Sequence, residues 1–352
     1  MNINISRLYK QEKITMDCQV ITPMFLGNAD QDAQLRASPF KGLLRYWWRV
    51  AHGTRYDSPQ ALLAAENDLF GSAGSDDDKK NCGKSRIGVS VTPVSGMETT
   101  TKPFSSPGNV DHPECENTHH RVNPLNYLAG MGLIHFKKGI QHSYFPSGAT
   151  FTWTLNVPHD RRDELETVLK LIQLFGAIGS RCRNGWGCFS WPGTRPGSLA
   201  VQKWENAFSR DYPHCLGRDD RGDLFWRTRR SASSWEECMR ELARVYISIR
   251  AGNREQDIPG LDVTSGQRPD RHLLGYPITN HNLKIWNNGR HGSALRLLVR
   301  REGADYRGFF LHLPHLYSKK MWPADKERQI RIWQQVHTGL DKLCQRIPYQ
   351  EG

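Results

Sequence analysis

No run in this 352-residue sequence approaches the roughly 20 consecutive apolar residues that a membrane-spanning helix needs. The first residues carry no apolar stretch of the kind a secretory leader uses, and the expectation is a cytoplasmic protein. Eight cysteines are scattered without a CxxC pair or a dense framework, which favours free thiols in a reducing compartment. There is no HExxH stretch, no Ser-His-Asp arrangement and no paired-carboxylate signature. Gly83-Lys84-Ser85 matches the end of a phosphate-binding P-loop, but the first glycine of that motif falls on Asp78, so that route to nucleotide binding is excluded. What is missing points to a binding protein rather than an enzyme.

What is present is positive charge. Lys and Arg number 48 against 36 Asp and Glu, a net charge of +12, and much of the excess is Arg. Nucleic acid is the leading partner class, ahead of an anionic membrane surface. At about 100–200 residues per domain the length suggests two, with a boundary placed between residues 1–197 and 198–352.

The segment Ser38 to Gly53, SPFKGLLRYWWRVAHG, reads as a helix with Ser38 as cap, Pro39 in the first turn and Gly53 as stop. At 100° per residue, Phe40, Leu43, Leu44, Trp47, Val50 and Ala51 share one face, suited to packing on a sheet. Lys41, Arg45, Trp48, Arg49 and His52 share the other. Cations beside an aromatic ring suit a phosphodiester backbone and its bases, whereas the plainer reading is a core helix with a solvated basic side. Before it, Lys13 to Ile21 alternates as a half-buried strand, and a loop carries Asp30, Asp32 and Arg36. A second helix spans Ser58 to Phe70, followed by a polar, acidic loop from Gly71 to Lys80.

Val94 to Asn123 has little apolar periodicity and reads as a long insertion or projecting loop. Within it, His112, Cys115, His119 and His120 are the kinds of ligand a structural zinc ion takes, although their order matches no standard finger; the competing reading is a solvated loop. An amphipathic helix after Asp160 runs into GAIGSRCRNGWGCFSW, residues 176–191. Four glycines there, Gly176, Gly179, Gly185 and Gly187, bracket Arg181, Arg183 and Trp186, so exposed amides and two arginines could grip phosphates. Trp204 to Arg230 reads as a basic, aromatic linker. Ser234 to Ile249 and Pro323 to about Cys344 read as helices, and 293–300 and 306–313 as paired strands carrying arginines on one face.

Taken together, TPMFLGNADQ, LRASPFKGLLRYWWR and GAIGSRCRNGWGCFS resemble the RAMP proteins of CRISPR effector complexes. Within that superfamily the sequence is most similar to the first-numbered subunit of the Cmr (type III-B) complex, and RHLLGYPI, HGSALRLLVRR and YRGFFLHLPH extend the similarity to the C-terminal half. The resemblance implies an α+β fold, a tandem of ferredoxin-like, RRM-type βαββαβ units with a long loop insertion and added helices. It also implies a subunit that binds guide RNA near its 3′ part, or target RNA, beside other Cmr/RAMP subunits, with no cofactor. Carried over by position, the RNA-binding residues are Arg36, Lys41, Arg45, Trp48, Arg49, Arg181 and Arg183. Phe40, Leu43 and Ala294 depart modestly from the family pattern, and the Val94–Asn123 region matches nothing in it. Asp30 and Asp32 lie in the loop where cleaving RAMP subunits carry an aspartate. The alternative is therefore an endoribonuclease that uses Asp30 or Asp32 with a metal, or a histidine such as His52 without one.

Overall fold

Met16, Cys18 and Val20 alternate with Thr15, Asp17 and Gln19 along strand β1 (Gln11–Val20), and the alternation sends the first three into the core. The computed structural model describes residues 11–72, 83–116, 119–135, 137–193, 199–263, 269–276, 278, 289–317 and 325–351. The 197/198 boundary, residues 73–80 of the expected acidic loop and the expected start of the last helix lie outside the described residues. No helix among the described residues is long and apolar enough to cross a membrane.

The chain forms two four-stranded antiparallel sheets with helices on them. In the first half β1 is followed by α1 (Ala37–His52), α2 (Pro59–Phe70), β2 (Gly88–Ser95), the short α3 (Pro124–Ala129), β3 (Thr150–Pro158), α4 (Arg162–Phe175) and β4 (Phe189–Ser190). The spatial order is β2-β3-β1-β4, every pairing antiparallel, with α1 and α4 packed side by side. The second half repeats the plan with β5 (Phe225–Thr228), α5 (Trp235–Ala251), β6 (Leu295–Glu302), β7 (Asp305–His312), α6 (Lys326–Leu343) and β8 (Cys344–Arg346), in the order β6-β7-β5-β8. The protein is thus α+β, and strand-helix-strand-strand-helix-strand occurs twice with the same neighbour order.

Several expectations change on contact with the fold. Trp204 to Arg230 is no linker: it supplies β5 and part of a three-stranded sheet made by Val201–Lys203, Leu216–Asp219 and Gly222–Asp223. Its strands are too short to show a period, and Trp204, Phe208, Phe225 and Trp226 are buried. The Val94–Asn123 segment does not project. Phe104 inserts edge-on to Trp235 of the second half and packs on Phe25, Tyr144 and Trp186 of the first, at ring separations of 4.9–6.4 Å. Farther along, Glu114 meets Arg271 through two 2.6 Å hydrogen bonds. The segment is a wedge between the halves.

Two of the three arginines of β6, Arg296 and Arg300, share a face, and that face is buried, whereas Arg301 is exposed on the other. Arg296 lies over Tyr46 and Trp47 of α1, at 5.2 and 5.5 Å. Arg300 donates from Nε to Leu174 O (3.0 Å) and from Nη2 to Gly176 O (2.9 Å), satisfying carbonyls where α4 ends. One continuous apolar core results. Replacing Arg300 with Ala should lower unfolding free energy by about 3 kcal/mol, because the carbonyls lose their donor inside the core. Arg301→Ala, at an exposed neighbour, should change it by less than about 0.5 kcal/mol in the same urea titration.

Buried histidines add a pH dependence. Burial lowers His312 well below its ordinary 6.5, brings His291 to about 3 and His315 to about 4, and lowers His52, His112, His214 and His337 as well. The folded chain keeps these rings neutral, while the unfolded chain protonates them near pH 6.5, so below that pH the unfolded state binds more protons. Their contribution is complete above pH 6.5 and is lost progressively as pH falls from there toward 4. The melting midpoint should be flat between pH 8 and 7 and decline steadily below 6.5; a flat profile to pH 5 would contradict this account.

Candidate nucleic-acid interface

Helix α1 begins one residue before its expected cap. Arg36 takes the N-cap position with no side-chain cap, its guanidinium donating instead to Gly27 O at 2.6 Å, and Ser38 falls within the first turn. Gly53 follows the helix in right-handed conformation; what requires glycine there is His214, whose Cβ would lie 2.7 Å from a Cβ at position 53. The apolar face is as expected, with Phe40, Leu43, Leu44, Trp47 and Val50 buried.

The opposite face is covered by more than solvent. Lys41, Arg45 and Arg49 line up along it, half-exposed, and α2 lies beside them. Glu66 of α2, its side chain only 4% exposed, accepts from Arg45 Nε at 2.7 Å and from Arg49 Nη1 at 2.9 Å. Burial, then the charge of Arg45, lowers the Lys41 pKa from its usual value.

Trp48 requires a correction. Its ring was expected to stack on a base or sugar, yet it is 1% exposed and packs against Tyr56 (5.8 Å) and Phe70 (6.1 Å). Its Nε1 donates to Glu164 Oε1 at 2.5 Å. A helical wheel shows one helix and cannot show a second helix folded over its outer face. His52, also 1% exposed and bonded through Nε2 to Glu164 O, is closed to a substrate as well.

The glycine-rich segment forms a tight hairpin clamped to residues 22–25. Ile178 N donates to Gly187 O, Gly187 N to Pro23 O and Ser180 N to Phe25 O, at 2.8–3.0 Å. Gly187 has φ of 65°, and a Cβ there would stand 1.9 Å from Ile178 O, so only glycine fits. Trp186 is fully buried beneath the hairpin. At the tip Arg181 itself has φ of 57°, rare for a residue with a side chain, and its guanidinium lies over Gly130. Arg183 reaches across to the second half and donates to Ser293 O at 3.1 Å.

Both arginines line a cleft of about 1250 Å³ between the wedge, α3, α5 and residues 271–276 and 290–293. Arg121, Arg250, Arg271 and Arg290 line it too, and among the described residues Glu114, paired with Arg271, is the only carboxylate that does. Arg250 donates to Tyr127 Oη at 2.8 Å and lies 4.9 Å over the Tyr246 ring. Burial lowers the Arg181 pKa, and the like charge of Arg290 lowers it further. An arginine-rich, carboxylate-poor cavity favours anions. The α1 cations lie outside this lining; Arg36 approaches it through Gly27. Arg121, Arg250, Arg271 and Arg290 come from segments far apart in the sequence, so no local motif could have assembled them.

Two other candidate clusters are placed clearly. His112 and Cys115 border the cleft, but His112 Nδ1 accepts from Glu114 N (3.3 Å) and its ring faces Tyr127. Among the described residues no three His, Cys, Asp or Glu side chains converge closely enough to hold a metal ion. In the loop after β1 the cap is Asn28, whose Oδ1 accepts from Asp30 N (2.8 Å) and Asp32 N (3.0 Å). Both aspartates are exposed, near the cleft that Asn28 and Gln31 border.

A model of the RAMP superfamily matches residues 17–190, from β1 to the last residue of β4. Residues 17–190 belong to the RAMP superfamily. The RAMP match thus spans the first sheet, α1 and the glycine-rich hairpin. Solved structures that align with this chain include Cmr1 from Pyrococcus furiosus, at 17% identity over 94% of this chain and 97% of that one, with a TM-score of 0.48. A chain of a type III-B Cmr-beta complex bound to cognate target RNA and AMPPnP aligns at 12% identity over 95% and 99%, with a TM-score of 0.47. A chain of a type IV-B CRISPR complex aligns at 17% identity over 56% of this chain and 100% of that one, with a TM-score of 0.31. No curated protein matches in sequence.

The position of Trp48 yields a test. Trp48→Ala should destabilise the fold by about 3–5 kcal/mol in urea titrations, as loss of a buried indole does. Lys41→Ala, on the half-exposed face, should leave the melting midpoint within about 1 °C.

Proposed function

We propose that this chain is a non-catalytic, RNA-binding subunit of a type III-B (Cmr) CRISPR effector, built from two ferredoxin-like RAMP units. The observation that carries the proposal is the cleft, where among the described residues six arginines face one carboxylate and the glycine-rich hairpin delivers Arg181 and Arg183. The RAMP match, the quoted motifs and the repeated strand order support it. In this reading Arg181 and its neighbours contact phosphates, and Lys41 with Arg36 extends the cationic track over the start of α1. Sequence recognition belongs to pairing between guide and target, so this chain reads charge and backbone shape. Partners are guide RNA, target RNA and other Cmr/RAMP subunits, in the cytoplasm.

Exposure of Asp30 and Asp32 near the cleft favours one second reading, metal-assisted cleavage of the bound RNA. Incubation of labelled RNA with Mg²⁺ and with EDTA separates the two: intact RNA in both is expected, and cuts abolished by Asp30→Asn or Asp32→Asn would establish the nuclease.

The main test is RNA affinity over a salt series. Affinity should fall steeply with salt, by roughly one counterion per phosphate contacted. Arg181→Gly, which removes the charge while tolerating the left-handed backbone, should weaken binding about tenfold for every sequence and reduce the salt slope by about one. Unchanged affinity in a variant that melts normally would refute the assignment.

A further inference from the structure

Outside the lining of the cleft, the outer faces of α1 and α2 form a second surface whose composition the fold does not explain. Gly42 stands inside α1, where glycine is less stabilising than alanine. It is exposed, and among the described residues nothing lies within 4 Å of where its Cβ would be. The chain itself therefore has room for a side chain at position 42 and gains nothing from its absence. A helix that lacks a Cβ at an exposed point lets another molecule approach its backbone closely.

Helix periodicity puts Gly42, Arg45 and Arg49 on one stripe, about 10 Å from end to end. Leu63, Glu66 and Asn67 share a flank of α2 in the same way. The two are joined by Glu66, which accepts from Arg45 and Arg49, and by Asn67, whose Oδ1 accepts from Arg45 Nη2 at 3.1 Å. Leu63, one turn before Glu66, is 55% exposed, and Gln60, Ala61 and Ala64 near it are exposed and uncharged. Two arginines against one carboxylate leave a net positive charge, and an uncharged, largely apolar strip of α2 lies alongside it.

This chemistry fits protein better than nucleic acid. Interfaces with nucleic acid are more polar and more strongly cationic, whereas protein interfaces set apolar contacts beside arginine. Here a carboxylate is built into the floor. The rings of α1 are also engaged: Trp48 packs on Tyr56 and Phe70, and Arg296 lies over Tyr46. A base finds no open ring of α1 on which to stack.

We propose that Gly42, Arg45, Arg49 and Leu63 form the docking site for a neighbouring protein subunit of the effector, a step that rests on the reading of this chain as such a subunit. The partner presents carboxylates to Arg45 and Arg49 and an apolar side chain to Leu63, and it passes closely against Gly42.

The test titrates the full chain against the assembly of the other Cmr/RAMP subunits with guide RNA and, in parallel, against labelled unpaired RNA alone. Gly42→Ala should raise the melting midpoint by about 1–2 °C and yet weaken joining to the assembly about tenfold. Leu63→Glu should weaken joining at least as much, Leu63→Lys less, and Leu63→Met should join as the unaltered chain does. Binding to RNA alone should be unchanged in each variant. Normal joining by both Gly42→Ala and Leu63→Glu would overturn the docking site and leave the subunit reading standing. Weaker RNA binding by Gly42→Ala, with tighter RNA binding by Leu63→Lys, would overturn it in favour of an RNA contact. Failure of the unaltered chain to join the assembly would overturn the subunit reading itself, and the docking site with it.

Discussion

Arg300 joins what the rest of the molecule needs joined. It stands on a strand of the second sheet, yet its guanidinium is spent on the Leu174 and Gly176 carbonyls of the first half, where α4 stops and the glycine-rich hairpin begins. Two residues earlier in the same strand's alternation, Leu298 is buried, and Arg296 lies over the aromatic pair of α1. A buried guanidinium without a carboxylate is costly unless several acceptors surround it, and here backbone carbonyls do so. The second half thereby sets the position of both the helix and the hairpin on which the RAMP resemblance rests. Asn184 extends this joint through a parallel bridge to Leu297.

The positive charge of the chain divides into two populations. Arg45 and Arg49 share the one carboxylate of Glu66, Arg271 is paired with Glu114, and Arg296 and Arg300 are consumed in the core. Those contacts hold elements together, and of them only the Arg45–Arg49–Glu66 group keeps a net positive charge on a half-exposed face. Arg181 and Arg290 belong to the other population, facing open volume. Net charge therefore overstates the interface, and the location of uncompensated charge defines it.

Much of the fold was legible in the sequence because local rules governed it. Ser58 caps α2 and Ser234 caps α5 as their positions require, the two strands expected at 293–300 and 306–313 do pair, through a tight turn at Gly303-Ala304, and the apolar face of α1 is the one that periodicity selects. The candidate site was legible only where one segment carried it, as at Arg181 and Arg183. Trp48 was misplaced because a second helix covers its face, and the wedge around Phe104 was missed because aromatic residues spaced without a period still find a core. Arg250 and Arg290 became neighbours of the hairpin through tertiary folding, which no spacing along the chain encodes.

The glycine-rich hairpin also limits what genetics can say about it. Gly187 is confined by the Ile178 carbonyl, so any larger residue there must prise the hairpin away from the segment at Pro23 and Phe25. Loss of function at that glycine would report a misassembled scaffold, however close it lies to the cleft. Divergence among related chains is accordingly expected to spare the glycines for reasons of shape, while the arginines at the tip are free to follow the ligand.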